Sequence, residues 1–214
     1  NNPRYLFAGF GPNSVLNLGN SGKSHLEYFE NIKATQLNNT RTLRIYLPPG
    51  FQPGQRYPVL YMHDGQNLFK PKALWGGWGG QGWADSLIAQ KKMRPFLIVG
   101  LDNTPGRMSE YTHVTDKISG NLTGGKAKQY ADFLWRDVKP WIDATYPTQP
   151  GFRSTAVMGS SLGGLISFWM NFLIVSRISS CCSVNFMVGF RGVRGGRRQR
   201  CWGERCDGRP RQPS

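Results

Sequence analysis

From Leu26 onward the chain alternates apolar runs with amphipathic stretches. LEYFENIKATQLNNTRTLRIYLPPGF (residues 26–51) predicts two strands around a turn at Asn38–Asn39. In the second strand Thr42, Arg44 and Tyr46 alternate with Leu43, Ile45 and Leu47, the pattern of a half-buried strand. Pro48-Pro49-Gly50 stops it. YPVLYMHDG (57–65), PFLIVGLDN (95–103) and STAVMGSS (154–161) are short apolar runs that end in polar turns. Each predicts a buried parallel strand. GWADSLIAQKKM (82–93) predicts a short helix. GGKAKQYADFLWRDVKPWIDATYP (124–147) places Tyr130, Phe133, Leu134, Val138, Trp141 and Ile142 on one helical face, with Pro140 set to kink or split it. A last helix is expected from Leu162 to about Val175.

Strands alternating with helices predict an α/β fold with a mostly parallel sheet covered on both faces and an antiparallel N-terminal hairpin at one edge. Ligands in such sheets sit at the carboxyl ends of the strands. His63-Asp64-Gly65, Asp102-Asn103 and Ser160-Ser161 all fall there. The 214 residues suit one domain, and 39% hydrophobic content with 13% aromatics argues against disorder.

Charge divides the chain. The formal net charge is +15, and residues 176–214 carry nine Arg, no Lys and two acids. That stretch also holds all four cysteines and no Ala, Leu or His. It shows neither helical nor strand periodicity. It reads either as an Arg/Gly-rich nucleic-acid-binding tail or as sequence outside the original reading frame, and the second is preferred. The domain reading is therefore an N-terminal loop segment at 1–25, an incomplete α/β domain at 26–175 and an aberrant tail at 176–214. Cys181–Cys182 and Cys201–Cys206 lack zinc-site spacing, so no metal is expected. NNPRYLFAGF has no secretory leader pattern. Residues 154–176 carry no charge from Ser154 to Ser176, yet their glycines and serines favour strand, turn and helix over a membrane span. The compartment and oligomeric state stay open. GNSGKS (19–24) departs from a phosphate loop at Asn17 and is read as a polar loop.

Gly159-Ser160-Ser161-Leu162-Gly163 gives the chemistry its focus. A serine between strand and helix can sit on a strained turn, its hydroxyl above the sheet, while the two glycines let strand and helix approach. Ser161 is the candidate nucleophile, and the Leu162 N–H at the helix start is a candidate oxyanion donor. The second donor is expected from a backbone N–H of Asp64, Gly65 or Gln66, unless that loop is simply a satisfied turn. Trp75, Trp78 and Trp83 lie among glycines; they either stack on a sugar or aromatic ring or pack down as a lid. Trp75 and Trp78, with Arg107 and Glu110, are the candidate substrate-binding residues, although Arg107 and Glu110 also read as a surface ion pair.

RTLRIYLPPGF, YPVLYMHDGQNLF, IVGLDN…R…EYT, VKPWIDATYPT and GSSLGGLIS together resemble the “putative esterase” (esterase D–like) family of α/β-hydrolases, which includes enterochelin-esterase-like and feruloyl-esterase-like enzymes. The resemblance runs from about Leu26 to Phe168. It implies a three-layer sandwich and a serine hydrolase of carboxylic esters that uses no metal or organic cofactor. The implied partner is a small-molecule or glycan-linked ester, with no nucleic acid and no membrane span. It carries over Ser161, Leu162 and the Asp64–Gln66 loop. In this fold the acid and the histidine follow the serine. Past Ser161 the sequence has only Glu204 and Asp207 as acids and no His. The expectation is thus a truncated or frame-shifted, impaired esterase. The alternative is a non-catalytic module that keeps the fold and binds a carbohydrate or polyanion.

Overall fold

The computed structural model describes residues 22–69, 77–118 and 120–177. Two antiparallel strands, β1 (His25–Ala34) and β2 (Asn39–Leu47), are joined through Asn38, whose φ of 52° closes the turn. Then follow β3 (Val59–His63), α1 (Gly80–Ala89), β4 (Leu97–Leu101), α2 (Arg107–Glu110), a small hairpin of β5 (Thr115–Ile118) and β6 (Asn121–Gly124), α3 (Ala127–Asp132), α4 (Lys139–Thr145), β7 (Thr155–Met158) and α5 (Leu162–Arg177). The main sheet has five strands in the order β1-β2-β4-β3-β7. β3 runs parallel to both β4 and β7, and β2 runs antiparallel to β4. The N-terminal hairpin therefore forms one edge, as its sequence predicts. At the other edge β7 pairs with β3 alone among the described residues.

Side chains alternate across this sheet with the period of two that strands impose. Leu43, Ile45, Leu47, Val59, Tyr61, Leu97, Val99 and Val157 face α3, α4 and α5 in the larger core. Tyr46, Met62 and Ile98 face the other way, with Leu68, Phe69, Phe96 and Ala84 of α1. Helices thus cover both faces, giving the three-layer α/β-hydrolase-type sandwich. β2 departs from the half-buried expectation: Arg44 and Tyr46 are buried along with its leucines and isoleucine. Tyr46 is covered by the α1 layer and donates to Asp85, while Arg44 is paired to Asp102. No described helix is long and apolar enough to cross a membrane.

The long helix expected around Tyr130–Ile142 is split. Its six predicted face residues are all buried, but Phe133–Val138 forms a π segment between α3 and α4. Pro140 lies in the first turn of α4. Proline has no N–H and its ring clashes with the carbonyl four residues back, so the ladder widens ahead of it. The β5–β6 hairpin and the one-turn α2 have no counterpart in the sequence expectations. Apart from the end of α5, residues 176–214 lie outside the described residues, as does most of the expected 1–25 segment.

One buried ion pair ties the hairpin to the middle of the chain. The Arg41 Nη2 lies 3.1 Å from Glu110 Oε2, with side-chain exposures of 0% and 2%. Glu110 also accepts from Asn39 and Thr104, and Arg41 lies over the rings of Tyr130 and Phe133. Removing one partner strands a charge in low dielectric, whereas removing both removes the liability. Glu110→Gln is expected to cost about 3–5 kcal/mol in urea unfolding. Adding Arg41→Met to a Glu110→Leu background is expected to recover most of the loss.

Candidate active site

The sharp bend sits between β7 and α5. Ser161 has φ +56°, a left-handed conformation that costs a β-carbon-bearing residue about 1–2 kcal/mol. Asn and Asp visit this region readily because short polar side chains bond locally; serine has less reason to be there. Close packing enforces the bend. A Cβ on Gly159 would lie 2.5 Å from the Gly163 carbonyl carbon, so no side chain fits where the strand passes the helix. The Gly163 N–H donates to Ser160 O at 2.8 Å, and the Leu165 N–H donates to Ser161 O at 3.1 Å. Ser160 and Ser161 are both exposed. The Ser161 hydroxyl makes no hydrogen bond among the described residues. Leu162 opens α5, so its N–H has no acceptor inside the helix.

The β3 loop touches this turn. A Cβ on Gly163 would be 3.3 Å from Asp64 Oδ2 and 3.4 Å from His63 Cβ. Asp64 is itself left-handed, with φ 59°, and leads into a 3-10 turn over Gly65–Asn67. The Asn67 N–H donates to Asp64 O and the Leu68 N–H to Gly65 O. Gly65 lies flat on β4: a Cβ there would be 2.8 Å from the Gly100 carbonyl carbon. Glycine is required at 65 for that approach and not for its torsions. The Gln66 carboxamide oxygen accepts from the Asn103 N–H at 3.1 Å.

Charged groups fix the loop from the side. Arg107 donates to Asp64 through Nε at 2.7 Å and Nη2 at 2.8 Å, and Asn103 Nδ2 donates to Asp64 Oδ1 at 2.6 Å. Burial alone would raise the Asp64 pKa, but Arg107 and Asn103 hold it below the ordinary carboxylate value. Beside them Arg44 grips Asp102 with two bonds of 2.6 and 2.7 Å. Below the loop His63 is fully buried, its Nδ1 2.8 Å from the Tyr130 hydroxyl and its ring against Tyr111 and Tyr130. Burial raises the pKa of both tyrosines.

The sequence-predicted residues divide accordingly. Ser161, Leu162, Asp64, Gly65 and Gln66 belong to one contiguous rim, with Gly163 as the contact. Arg107 and Glu110 do not pair with each other: Arg107 is bound to Asp64, and Glu110 is buried against Arg41. The surface ion pair is therefore corrected: the Glu110 carboxylate is committed inside the protein to Arg41. Trp78 is half-buried in the smaller core, Trp83 is 68% exposed on α1, and Trp75 lies outside the described residues. Asn103 and the Arg44–Asp102 pair are supports that the sequence reading left without a role. For Asp102 and Asn103 the position after the central strand β4 is the available signal; Arg44, inside the antiparallel β2, has no such signal. Among the described residues no cluster of His, Cys, Asp or Glu side chains is placed to hold a metal ion.

Part of the chain is similar to known proteins. The chain is 28% identical over 133 residues to the uncharacterized protein YjcH of Bacillus subtilis (strain 168), covering 62% of this chain and 50% of that protein. It is 29% identical over 138 residues to the endo-1,4-beta-xylanase/feruloyl esterase of Xylanibacter ruminicola, covering 58% of this chain and 16% of that protein. An IroE-like serine hydrolase from Shewanella oneidensis superposes with a TM-score of 0.51 at 26% identity, over 66% of this chain and 44% of its own. The chain thus spans about half the length of the Bacillus relative and less of the others. Residues 34–185 match a family whose description is “Putative esterase”. The matched span takes in β2, β3, β4 and β7 of the sheet, the β3 loop and the Ser161 bend, and the chain belongs to that family.

Proposed function

We propose that this chain carries the nucleophile and oxyanion half of a serine carboxylic-ester hydrolase. The observation that supports this most is Ser161: a left-handed serine whose hydroxyl is exposed, unbonded and set at the opening of α5. In this reading Ser161 Oγ attacks the ester carbonyl carbon and its proton passes to a base. The carbonyl oxygen becomes an oxyanion received by the Leu162 N–H and by an N–H of the Asp64–Gln66 loop. The tetrahedral carbon then expels the alcohol, leaving an acyl-serine for water to hydrolyse. The substrate class is a small carboxylic ester, free or attached to a glycan, and the likeness to a feruloyl esterase supports the second form.

The proton acceptor has to be sought among the histidines. The sequence has three histidines. His25 pairs with Leu47, at the end of the sheet opposite Ser161. His113 is stacked on Trp169, eight residues beyond Ser161 on α5, which is about 12 Å along a helix axis. His63 is buried, and desolvation lowers its pKa to about 4, with Arg107 and Arg41 adding to the effect and Asp64 opposing it. A neutral imidazole held in this way suits a supporting role under the loop better than proton transfer at the rim. Turnover by this chain is accordingly expected to be slow, with about 10³–10⁴-fold acceleration left from positioning and oxyanion donors. A second reading, a non-catalytic glycan-binding module, is favoured by the exposed Trp83 indole.

Covalent labelling by a fluorophosphonate, followed by intact-protein mass spectrometry, separates the two. Wild type is expected to gain one adduct, located on Ser161 by peptide mapping, and Ser161→Ala none. Equal labelling in both proteins would remove Ser161 as the nucleophile. The state of His63 is tested by thermal unfolding against pH. A histidine whose folded pKa lies below its unfolded value near 6.5 contributes stability above about pH 6.5, which is lost as the pH falls toward 4. The melting temperature is expected to drop across that window, and His63→Asn to flatten that part of the curve.

A further inference from the structure

Asp64 presents a difficulty for the proposed chemistry. Its carboxylate lies against Gly163 in the first turn of α5, and its side chain is 3% exposed. A helix N-terminus attracts anions through its free amides and its dipole. A bare carboxylate there competes with an incoming oxyanion for the same amides and repels it in a poorly solvated setting. The carboxylate cannot simply be dispensed with, because its bonds to Asn103 and Arg107 hold the left-handed turn that starts the loop.

Arg107 resolves this. Its planar fork meets both carboxylate oxygens, including the Oδ2 that faces Gly163, which places a full positive charge directly against the Asp64 carboxylate. The guanidinium is anchored in turn, 5.0 Å from the centre of the Tyr111 ring, and its backbone N–H donates to Thr104 O. Nε and one proton of Nη2 are engaged by Asp64, which leaves Nη1 and the second Nη2 proton of the five guanidinium donors. We propose that Arg107 is a positioning residue of the acyl-transfer site: its two-armed bond cancels the Asp64 charge beside the α5 N-terminus and leaves the Leu162 amide free for the oxyanion. This rests on the reading of Ser161 as the nucleophile.

The test is a double-mutant cycle read by fluorophosphonate labelling, with kinact and KI measured for wild type, Arg107→Gln, Arg107→Lys, Asp64→Asn and the Arg107→Gln/Asp64→Asn pair. Arg107→Gln is expected to lower kinact by roughly 10- to 10²-fold, the scale of losing part of an oxyanion hole, with KI little changed. Arg107→Lys, a point charge without a fork, should fall between. The decisive result is the pair. Removing the uncompensated carboxylate should restore labelling several-fold over Arg107→Gln alone. A purely structural role predicts a double variant no faster than the single one, and that result, or wild-type labelling in Arg107→Gln, would overturn the proposal. Should Arg107→Gln fail to fold, Arg107→Lys with and without Asp64→Asn gives the same comparison. If wild type shows no Ser161 adduct, the nucleophile reading has failed. Charge compensation is then decided by carboxyl-carbon NMR titration of Asp64, whose midpoint must rise in Arg107→Gln; an unmoved midpoint sinks it.

Discussion

The rim of this sheet depends on a contact made by the absence of side chains. Gly159 passes Gly163 so closely that a single methyl group on the first would overlap the backbone of the second. That approach forces the chain to reverse between β7 and α5 within three residues, and the reversal puts Ser161 into left-handed space. The same Gly163 faces the β3 loop, where any side chain would press on Asp64 and His63. Two glycines four residues apart thus join a strand, a helix and a loop. An alanine at 159 would have to move α5 as a whole, since what it meets is backbone.

Around this contact three arginine–carboxylate pairs close the carboxyl end of the sheet. Arg41 with Glu110, Arg44 with Asp102 and Arg107 with Asp64 join β2, β4, α2 and the β3 loop. Such pairs contribute little net stability when desolvation is counted. Their value lies in geometry, because a two-armed guanidinium fixes both the position and the plane of its carboxylate. At Asp64 and Asp102 the fork is complete. At the more buried Arg41 two of the guanidinium nitrogens find no partner, and the rings of Tyr130 and Phe133 lie within about 5 Å of it instead. Aromatic faces offer partial compensation of that kind.

Much of this was legible in the sequence where one physical signal dominated. Val59–His63, Leu97–Leu101 and Thr155–Met158 are apolar runs with polar ends, and burial on both faces leaves such runs few alternatives. The Gly159–Gly163 spacing announced the bend because only glycine tolerates that approach. What stayed hidden was pairing at a distance. Nothing local distinguishes Arg107, which reaches back to Asp64 across the sheet top, from an exposed arginine that would meet Glu110 one helical turn away. The hairpin Thr115–Gly124 was equally silent, since it is exposed along most of its length and shows no apolar alternation. The π segment was half legible: Pro140 signalled a break, but whether the chain kinks, splits or widens depends on the packing of Phe133, Leu134 and Val138, which are buried to the same degree as their helical neighbours.

Two left-handed residues without glycine's freedom meet at this rim, and the difference between them is informative. Asp64 gains three short bonds from its strained position, so its conformation is accounted for by the contacts it makes. Ser161 gains none: its hydroxyl is exposed and unpartnered, and a glycine at 161 would relax the backbone at no loss of packing. Strain that nothing within the fold offsets must be held in place by its surroundings, here by the Gly159–Gly163 crossing on one side and the Asp64 loop on the other. Such a position holds the Ser161 hydroxyl in one orientation, which is what the proposed nucleophile requires. The same reasoning separates the serine from the histidine at the end of the neighbouring strand. His63 is bonded, stacked and desolvated, so each contact that orders it also removes it from proton exchange with the rim. Backbone strain without local compensation marks the serine, and full compensation by neighbours marks the histidine.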